Sequence, residues 1–255
     1  MRLLLRLKST KNSNYDVLYN HKIQEFIYNL MIGTDYESLH DKKTFKYFCF
    51  SNIFPIGDIK EGDTRNLIIS SPDKVFIKII KEKIDDYTQN KKSINFGEME
   101  FLIDETKTLK LKLQEKNLKL ISATPILLRI PEKNYSKFNI PEEDRKPIYV
   151  FWRSKYSIES FISHLEDNLK KKYNLFYNKK NGFDNIFDEA RFKKMVYNKI
   201  ILKGFERVYV GSIWEFSFNY LNPKKKKLLS FAIEAGFGER SSFGFGFMNP
   251  VINIG

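Results

Sequence analysis

The sequence predicts an α+β fold made of two successive units, each with the element order βαββαβ. Three observations support this: short apolar runs that alternate with polar residues, amphipathic segments that begin at helix-capping residues, and an order of elements that recurs in the second half. With 255 residues, of which 42% are hydrophobic and 15% aromatic, the chain can fill two small cores. This element order is typical of the ferredoxin-like (RRM-like) split βαβ unit.

In the first half, basic and apolar residues alternate from Arg2 to Lys8, which favours a strand. Asn20 is predicted to cap a helix, because apolar residues recur at helical spacing from Ile23 to Met31, and Gly33 is placed to end it. The remaining elements are a strand over Phe45–Asn52, a strand over Arg65–Ser70, a helix that begins at Ser71-Pro72-Asp73 with Val75, Ile79 and Ile80 in its apolar stripe, and one or two strands within Phe96–Lys112.

The second half repeats this order without repeating the sequence. The predicted elements are strands over Leu118–Ile130 and Ile148–Trp152, a helix over Ser157–Tyr173 with Ile158 on its inner face, a strand or hairpin over Arg207–Asn219, and a helix that starts at Asn222-Pro223 and ends at Gly236. We place the boundary near Glu115 to Leu118, which predicts an N-terminal domain of residues 1–116 and a C-terminal domain of residues 117–255.

The charge balance indicates a polyanionic partner. Lysine and arginine number 44 against 31 acidic residues, which gives a net charge of +13 and an isoelectric point near 9.5. Such a basic domain usually binds nucleic acid or an anionic membrane surface. The sequence has no apolar run near the ~18 residues of a spanning helix, and its N-terminus lacks the features of a signal peptide. We therefore expect a cytoplasmic protein that binds nucleic acid and no membrane.

Cofactor and metal sites are not expected. The single Cys49 excludes an intrachain disulfide and fits a reducing compartment. The histidines at 21, 40 and 164 lack the spacing of metal ligands. Neither a Walker loop nor a dinucleotide-binding fingerprint is found, so we predict that any enzymatic activity needs no metal and no organic cofactor.

The most informative motif lies near the C-terminus and reads GFGERSSFGFGF from Gly236 to Phe247. We expect exposed N–H groups, hydroxyls and a guanidinium here, which are groups that bind phosphate. The candidate RNA-binding residues are Gly236, Gly238, Arg240, Ser241, Ser242, Gly244 and Gly246. The alternative is purely structural, a helix C-cap followed by a bulged strand.

Four lysines, Lys224 to Lys227, fall in the first turn of the last predicted helix. The helix dipole is positive there, so each cation costs roughly 0.3–1 kcal/mol. Lys224 and Lys225 are therefore candidate RNA-phosphate ligands. A solvated basic turn of little cost is the alternative.

Taken together, these features resemble one family, the CRISPR-associated endoribonucleases of the RAMP superfamily that cleave repeat RNA. The glycine-rich motif is the most specific match, and it is supported by the segments IQEFIYNLM, Leu39-His40, FKYFCFSNI and SSPD. The resemblance implies tandem ferredoxin-like domains and metal-free cleavage that leaves a 5′-hydroxyl and a 2′,3′-cyclic phosphate. The implied partner is CRISPR repeat RNA (pre-crRNA), and other CRISPR-associated proteins and a homodimer partner are further candidates.

The resemblance also implies catalytic residues. Its members typically use a histidine in the loop after the first helix with tyrosine and lysine nearby, which His40, Tyr28 and Lys46 match, and Tyr47 is a competing tyrosine. Histidine can transfer protons near neutral pH, lysine supplies charge, and tyrosine donates a hydrogen bond.

The predicted strand limits the partners of His40. If residues 45–51 form a regular strand, neighbouring side chains point to opposite faces, so Lys46 and Tyr47 cannot both face His40. We favour Tyr47, because its hydroxyl would need a partner on a face shared with Phe45 and Cys49. A buried aromatic ring for Tyr47 and a solvated charge for Lys46 are the structural alternatives, and Tyr28 becomes the third member if Lys46 faces His40.

Two other functions remain open. The chain could be a catalytically inactive RNA-binding subunit of a CRISPR effector complex, although a histidine in the expected loop favours the enzyme. It could also be a generic RNA-binding module that stacks bases on sheet aromatics, but the aromatic core-strand motif of such modules is not found.

Overall fold

The computed structural model describes residues 1–180, 182–183, 185–202 and 205–251, and it leaves the side chains of residues 201 and 202 undescribed. The chain divides into two compact units. The first comprises residues 1–111, 200–207 and 242–244, and the second comprises 112–199, 208–241 and 245–255. Each has mixed α+β architecture with antiparallel sheets, which confirms the predicted fold class.

The first unit begins with a strand that lies inside its sheet. Its elements are β1 (Arg2–Ser9), α1 (Asn20–Leu30), β2 (Cys49–Phe50), β3 (Thr64–Ser70), α2 (Lys74–Gln89), β4 (Ser93–Phe96) and β5 (Met99–Leu109). The sheet order is β2-β3-β1-β5-β4, and β1 pairs antiparallel with β3 and β5. Leu3, Leu5 and Leu7 are fully buried in the same core as the apolar residues of α1 and α2, whereas Leu4, Arg6 and Lys8 are intermediate or exposed, as expected for a sheet covered on one face.

The second unit has the ferredoxin-like order with one insertion. Its elements are β6 (Lys116–Ser122), β7 (Arg129–Pro131), β8 (Tyr149–Phe151), α3 (Ile158–Tyr177), β9 (Glu189–Leu202), β10 (Phe205–Tyr220), α4 (Pro223–Ala235) and β11 (Met248–Pro250), apart from the ends of β9 and β10 within residues 200–207. The main sheet has the order β11-β6-β10-β9, and β7 and β8 form a separate pair. Phe161 of α3 stacks on Trp214 of β10 at 4.1 Å between ring centroids, at the centre of this core.

The predicted caps Asp73 and Asn222 are confirmed, whereas the predicted cap Asn20 is wrong: it is the first residue of α1, and its side-chain amide donates to the Phe243 carbonyl instead. The Asp73 carboxylate accepts from the N–H groups of Val75 and Phe76, and the Asn222 side chain accepts from Lys225 N–H. Pro223 occupies the first turn of α4, which ends at Gly236 with a φ of +82°.

Several predicted details are wrong for identifiable reasons. The strand over Phe45–Asn52 shrinks to Cys49–Phe50, because Tyr47 adopts a left-handed φ of +49° that breaks the extended conformation. The run Leu118–Ile130 is not one strand but β6 and β7, and Pro125, which lacks an N–H, lies between them. Val75 and Ile158, assigned to buried stripes, are 59% and 46% exposed, and Phe76 and Phe161 are the first apolar residues of their helices to be buried.

Among the described residues, no helix is both long enough and apolar enough to cross a membrane.

Candidate active site and glycine-rich loop

Lys46 links the candidate catalytic residues Tyr28 and His40 of the first unit by hydrogen bonds. Its Nζ donates to the Tyr28 hydroxyl at 2.7 Å and to the His40 carbonyl oxygen at 2.8 Å. The Tyr28 and His40 rings lie 6.3 Å apart between centroids. Because Tyr28 comes from α1 and Lys46 from the segment before β2, the fold brings together three residue types that can transfer protons and stabilise negative charge.

His40 is the last residue of a short 3₁₀ turn, Glu37–His40, and residues just before it anchor this turn to the rest of the unit. Leu39 is buried in the core, and the neighbouring Tyr36 hydroxyl donates to the Asp73 carboxylate at 2.6 Å. The imidazole itself is 59% exposed, with Nε2 3.0 Å from an Asp41 carboxylate oxygen. A ring that is accessible on a fixed turn suits reaction with an external ligand.

Tyr47, the tyrosine favoured from strand alternation, has different surroundings. Its ring contacts Phe45 at 6.1 Å between centroids, and its carbonyl oxygen accepts from the Ser71 hydroxyl at 2.7 Å. The alternation argument does not apply, because the strand does not extend to residues 45–48. The geometry groups Lys46 rather than Tyr47 with Tyr28.

Tyr28 is a neutral hydrogen-bond donor at physiological pH. Burial raises the pKa of its hydroxyl to about 12, and a hydrogen bond with Ser242 acts in the opposite direction. The phenol therefore keeps its proton near pH 7, which suits donation to an anionic oxygen.

The glycine-rich loop is shaped by contacts within the protein. Four of its glycines have positive φ: Gly236, Gly238, Gly244 and Gly246. A Cβ at Gly246 would overlap the Phe237 carbonyl, and one at Gly238 would lie 2.6 Å from the Leu127 carbonyl oxygen. The glycines at these two positions are thus required by the packing of the loop itself.

The expectation of exposed hydroxyls in this loop is wrong. Ser241 and Ser242 are each only 7% exposed, in a 3₁₀ turn that ends at Phe243. Several backbone donors are also directed inward, since Phe237 N–H donates to Gly246 O and Glu239 N–H donates to Leu127 O.

Lys172 of α3 is a buried cation that holds this loop in the second unit. Its Nζ donates to the carbonyl oxygens of Gly236 at 2.9 Å and Gly238 at 2.5 Å, and the residue is 2% exposed. The ammonium therefore lies beside the C-terminal end of α4, where the helix dipole favours a cation. Sequence reasoning missed it, because Lys172 stands in a run of three lysines that reads as a solvated face.

The remaining basic candidates lie in the second unit. Arg240 has a left-handed φ of +56° and its guanidinium lies 6.0 Å from the centroid of the Tyr209 ring. Lys225 forms an ion pair with Asp188 at 2.7 Å, and Lys224 lies over the Phe183 ring at 5.2 Å. Lys225 is therefore mostly buried in its ion pair, and RNA binding by Arg240, Lys224 and Lys225 stays a prediction.

The other two histidines have local roles in their units. His21 places Nδ1 2.8 Å from the Leu18 carbonyl oxygen at the start of α1. His164 is half-buried against the Phe138 ring, and burial lowers its pKa. Over the described part of the chain, the histidine, cysteine and acidic side chains form no group of three that could hold a metal ion.

Comparison with solved structures defines the class of fold. The chain superimposes with a TM-score of 0.74 on a structure described as an RAMP protein binding different RNA substrates, at 19% identity over 99% of this chain and all of that one. A CRISPR-associated protein Cas6 structure gives a TM-score of 0.70 at 23% identity, covering 99% of both chains. The fold is therefore the tandem ferredoxin-like fold of RAMP proteins.

Sequence relatives identify the family within this class. The family model for the C-terminal part of CRISPR-associated protein Cas6 matches residues 107–250. CRISPR-associated endoribonuclease Cas6 2 of Methanocaldococcus jannaschii is 33% identical over 98% of this chain and 100% of its own length. The corresponding Cas6 of Haloferax mediterranei is 28% identical over 98% of this chain and 94% of its own length. The chain belongs to the Cas6 family, as the resemblance predicted.

Proposed function

We propose that this chain is an endoribonuclease that cleaves CRISPR repeat RNA into guide units. Two full-length relatives carry the name of CRISPR-associated endoribonuclease, and the net charge of +13 suits a polyanionic substrate. The observation that carries the proposal is the cluster in which Lys46 Nζ contacts both the Tyr28 hydroxyl and the His40 carbonyl.

The proposed reaction is attack of a ribose 2′-hydroxyl on the adjacent phosphate. The 2′-oxygen forms a bond to phosphorus, its proton leaves to a base, and the 5′-oxygen departs with a proton from an acid. The products are a 2′,3′-cyclic phosphate on the 5′ fragment and a 5′-hydroxyl on the 3′ fragment. His40 performs a proton transfer, because imidazole can exchange protons near neutral pH.

Lys46 and Tyr28 act on the charge that develops on the phosphate. The lysine ammonium attracts the additional negative charge of the phosphorane, and the neutral Tyr28 phenol donates a hydrogen bond to it. These three side chains supply acid–base and electrostatic catalysis, so the proposed scheme needs neither a metal nor a cofactor.

The test is single-turnover cleavage of a 5′-labelled repeat RNA with enzyme in excess and EDTA present. We expect one cut within the repeat, with a cyclic phosphate on the 5′ fragment as measured by mass spectrometry. A repeat RNA with a 2′-deoxy substitution at the scissile nucleotide is the matched control, and it should bind but stay intact.

Other results would assign other functions. Cleavage of the deoxy substrate would require a different nucleophile. Tight binding of repeat RNA without cleavage would favour the catalytically inactive subunit. Loss of cleavage in EDTA that returns with Mg²⁺ would contradict the metal-independent scheme.

A further inference from the structure

The first helix presents polar side chains at every fourth position. Asn20, Gln24 and Tyr28 lie along one face of α1, because residues four apart are neighbours on a helix surface. Asn20 Nδ2 donates to the Phe243 carbonyl at 2.9 Å, and Gln24 Nε2 donates to the Ser242 carbonyl at 2.8 Å. All three face the turn of residues 242–244, which belongs to the same unit as α1.

The direction of the Gln24 hydrogen bonds is fixed by chemistry. A carbonyl oxygen can only accept, so the Gln24 atom that faces Ser242 O must be the amide nitrogen. The same NH₂ group lies 3.2 Å from the Ser242 hydroxyl oxygen and can donate its second hydrogen there. Ser242 Oγ thus accepts from Gln24 and has its own proton available for another acceptor.

That acceptor is the Tyr28 hydroxyl. Ser242 and Tyr28 are hydrogen-bonded through their side chains, and because Ser242 Oγ already accepts from Gln24, we assign its own proton to the phenol oxygen. Lys46 Nζ donates to the same oxygen at 2.7 Å. A phenol oxygen accepts at most two hydrogen bonds and donates one, so Ser242 and Lys46 fill its lone pairs and leave its proton to point elsewhere.

We infer that Gln24 and Ser242 are positioning residues for RNA cleavage, because the chain Gln24 N–H to Ser242 O–H to Tyr28 O–H aims the phenol proton at a phosphate oxygen. The inference rests on the proposed function. It assigns the tip of the glycine-rich loop an effect on the chemical step, in addition to any effect on RNA affinity.

The burial of Gln24 and Ser242 supports a role in positioning Tyr28 and not in contacting RNA directly. Gln24 is 8% exposed and Ser242 7%, so neither side chain is accessible to an RNA ligand over most of its surface. Tyr28 is less buried, and its contact Lys46 is intermediate, so the chain runs from the interior towards solvent. A buried, fully satisfied network fixes side-chain direction more strongly than an exposed one.

The kinetic test is a double-mutant cycle in single-turnover cleavage of repeat RNA. Ser242→Ala and Gln24→Met should each slow cleavage about 3- to 10-fold, the equivalent of one lost neutral hydrogen bond, with Kd for RNA unchanged. In a Tyr28→Phe background neither change should slow cleavage further. Equal slowing in both backgrounds would overturn the inference, because Ser242 would then act without Tyr28.

Ser51→Ala is the matched control. Ser51 is another buried serine of the first unit, with hydrogen bonds to Asn52 O and Ile68 N–H. Its loss should change the melting temperature as much as Ser242→Ala does and leave the cleavage rate unaltered.

A spectroscopic test separates the hydrogen-bond chain from the proposed reaction. The ¹³Cζ resonance of Tyr28, assigned by its loss in Tyr28→Phe, should shift in Ser242→Ala and in Gln24→Met but not in Ser51→Ala. An unmoved resonance would overturn the chain itself. Wild-type protein that cleaves no RNA would overturn the proposed function and the catalytic purpose of the chain, while a shifted resonance would still establish the contacts.

Discussion

Lys172 donates a hydrogen bond from its buried ammonium to the carbonyl oxygen of Gly238, 66 residues further along the chain. The same ammonium bonds Gly236, so one cation holds both glycines of the first pair in the loop. A buried lysine is stable only when its charge is compensated, and here the compensation comes from two carbonyl dipoles and the C-terminal end of a helix.

Removing that ammonium should destabilise the second unit. Lys172→Met keeps the length of the side chain but leaves two buried carbonyls without this donor, at about 1–3 kcal/mol each. We expect the unfolding free energy to fall by about 2–4 kcal/mol, measured by denaturant titration with tryptophan fluorescence, since Trp152 and Trp214 both lie in this unit. The exposed neighbour Lys171→Met is the control, and equal midpoints for the two variants would contradict the assignment.

His40→Ala should abolish most cleavage and keep RNA binding. A single proton-transfer group typically contributes 10²–10⁴-fold to the rate, and the exposed ring of His40 can be removed without opening the core. The measurement is the single-turnover rate, together with Kd from filter binding. His21→Ala is the control, and a wild-type rate in His40→Ala would remove His40 from the mechanism.

Lys46→Met should slow cleavage more than Tyr47→Phe does, the reverse of the order expected from strand alternation. Lys46 contacts Tyr28 and His40, whereas the Tyr47 ring contacts Phe45. We expect at least a 10-fold loss for Lys46→Met, about 1.4 kcal/mol of transition-state stabilisation. The melting temperature of both variants must be measured alongside, and a larger loss in Tyr47→Phe would return the assignment to Tyr47.

Arg240→Ala should weaken repeat-RNA binding and reduce its salt dependence. One lost phosphate contact lowers the slope of log Kd against log salt by roughly 0.7 to 0.9. Lys78→Ala removes the same charge from the exposed surface of α2 and should leave the slope unaltered. An unchanged slope in Arg240→Ala would show that its guanidinium serves the packing against Tyr209 instead.

Acid should destabilise the second unit through His164. Burial lowers the pKa of His164 below 6.5, so the unfolded chain takes up a proton at a higher pH than the folded one. The contribution of neutral His164 to the unfolding free energy is therefore fully present above about pH 6.5, and it is lost as the pH falls towards the pKa that His164 has in the folded protein. His164→Gln should lose less stability between pH 7.5 and 5.5 than wild type, as measured by tryptophan fluorescence, and an equal loss would exclude this histidine.

The sequence predicts those features that depend on neighbouring residues. Asp73 and Asn222 predict where their helices begin, because an N-cap side chain accepts hydrogen bonds from backbone N–H groups within the first turn. The long strand β9 was missed, since Glu189–Leu202 is rich in charged and polar residues that give no clear alternation. The first half of the predicted strand Phe45–Asn52, which contains Lys46, is not extended because of a backbone conformation at Tyr47 that the side-chain pattern does not reveal.

Long-range contacts set the rest of the candidate site. Gln24 and Ser242 are 218 residues apart, and no local pattern pairs them. The four-residue spacing of Asn20, Gln24 and Tyr28 does predict a polar stripe on an otherwise amphipathic helix. What the stripe contacts is decided by the path of the chain, which only the folded structure gives.

Gly238 and Gly246 pack so closely against backbone carbonyls that no larger residue fits at either position. This affects what the glycine motif can indicate when related sequences are searched for in genomes. A glycine that neighbouring backbone requires serves the architecture itself, whether or not the protein cuts RNA. The glycine motif is therefore a marker of ancestry. Under the proposed mechanism, sorting active from silent members of the family depends on the residues at positions 28, 40 and 46 and not on the glycines.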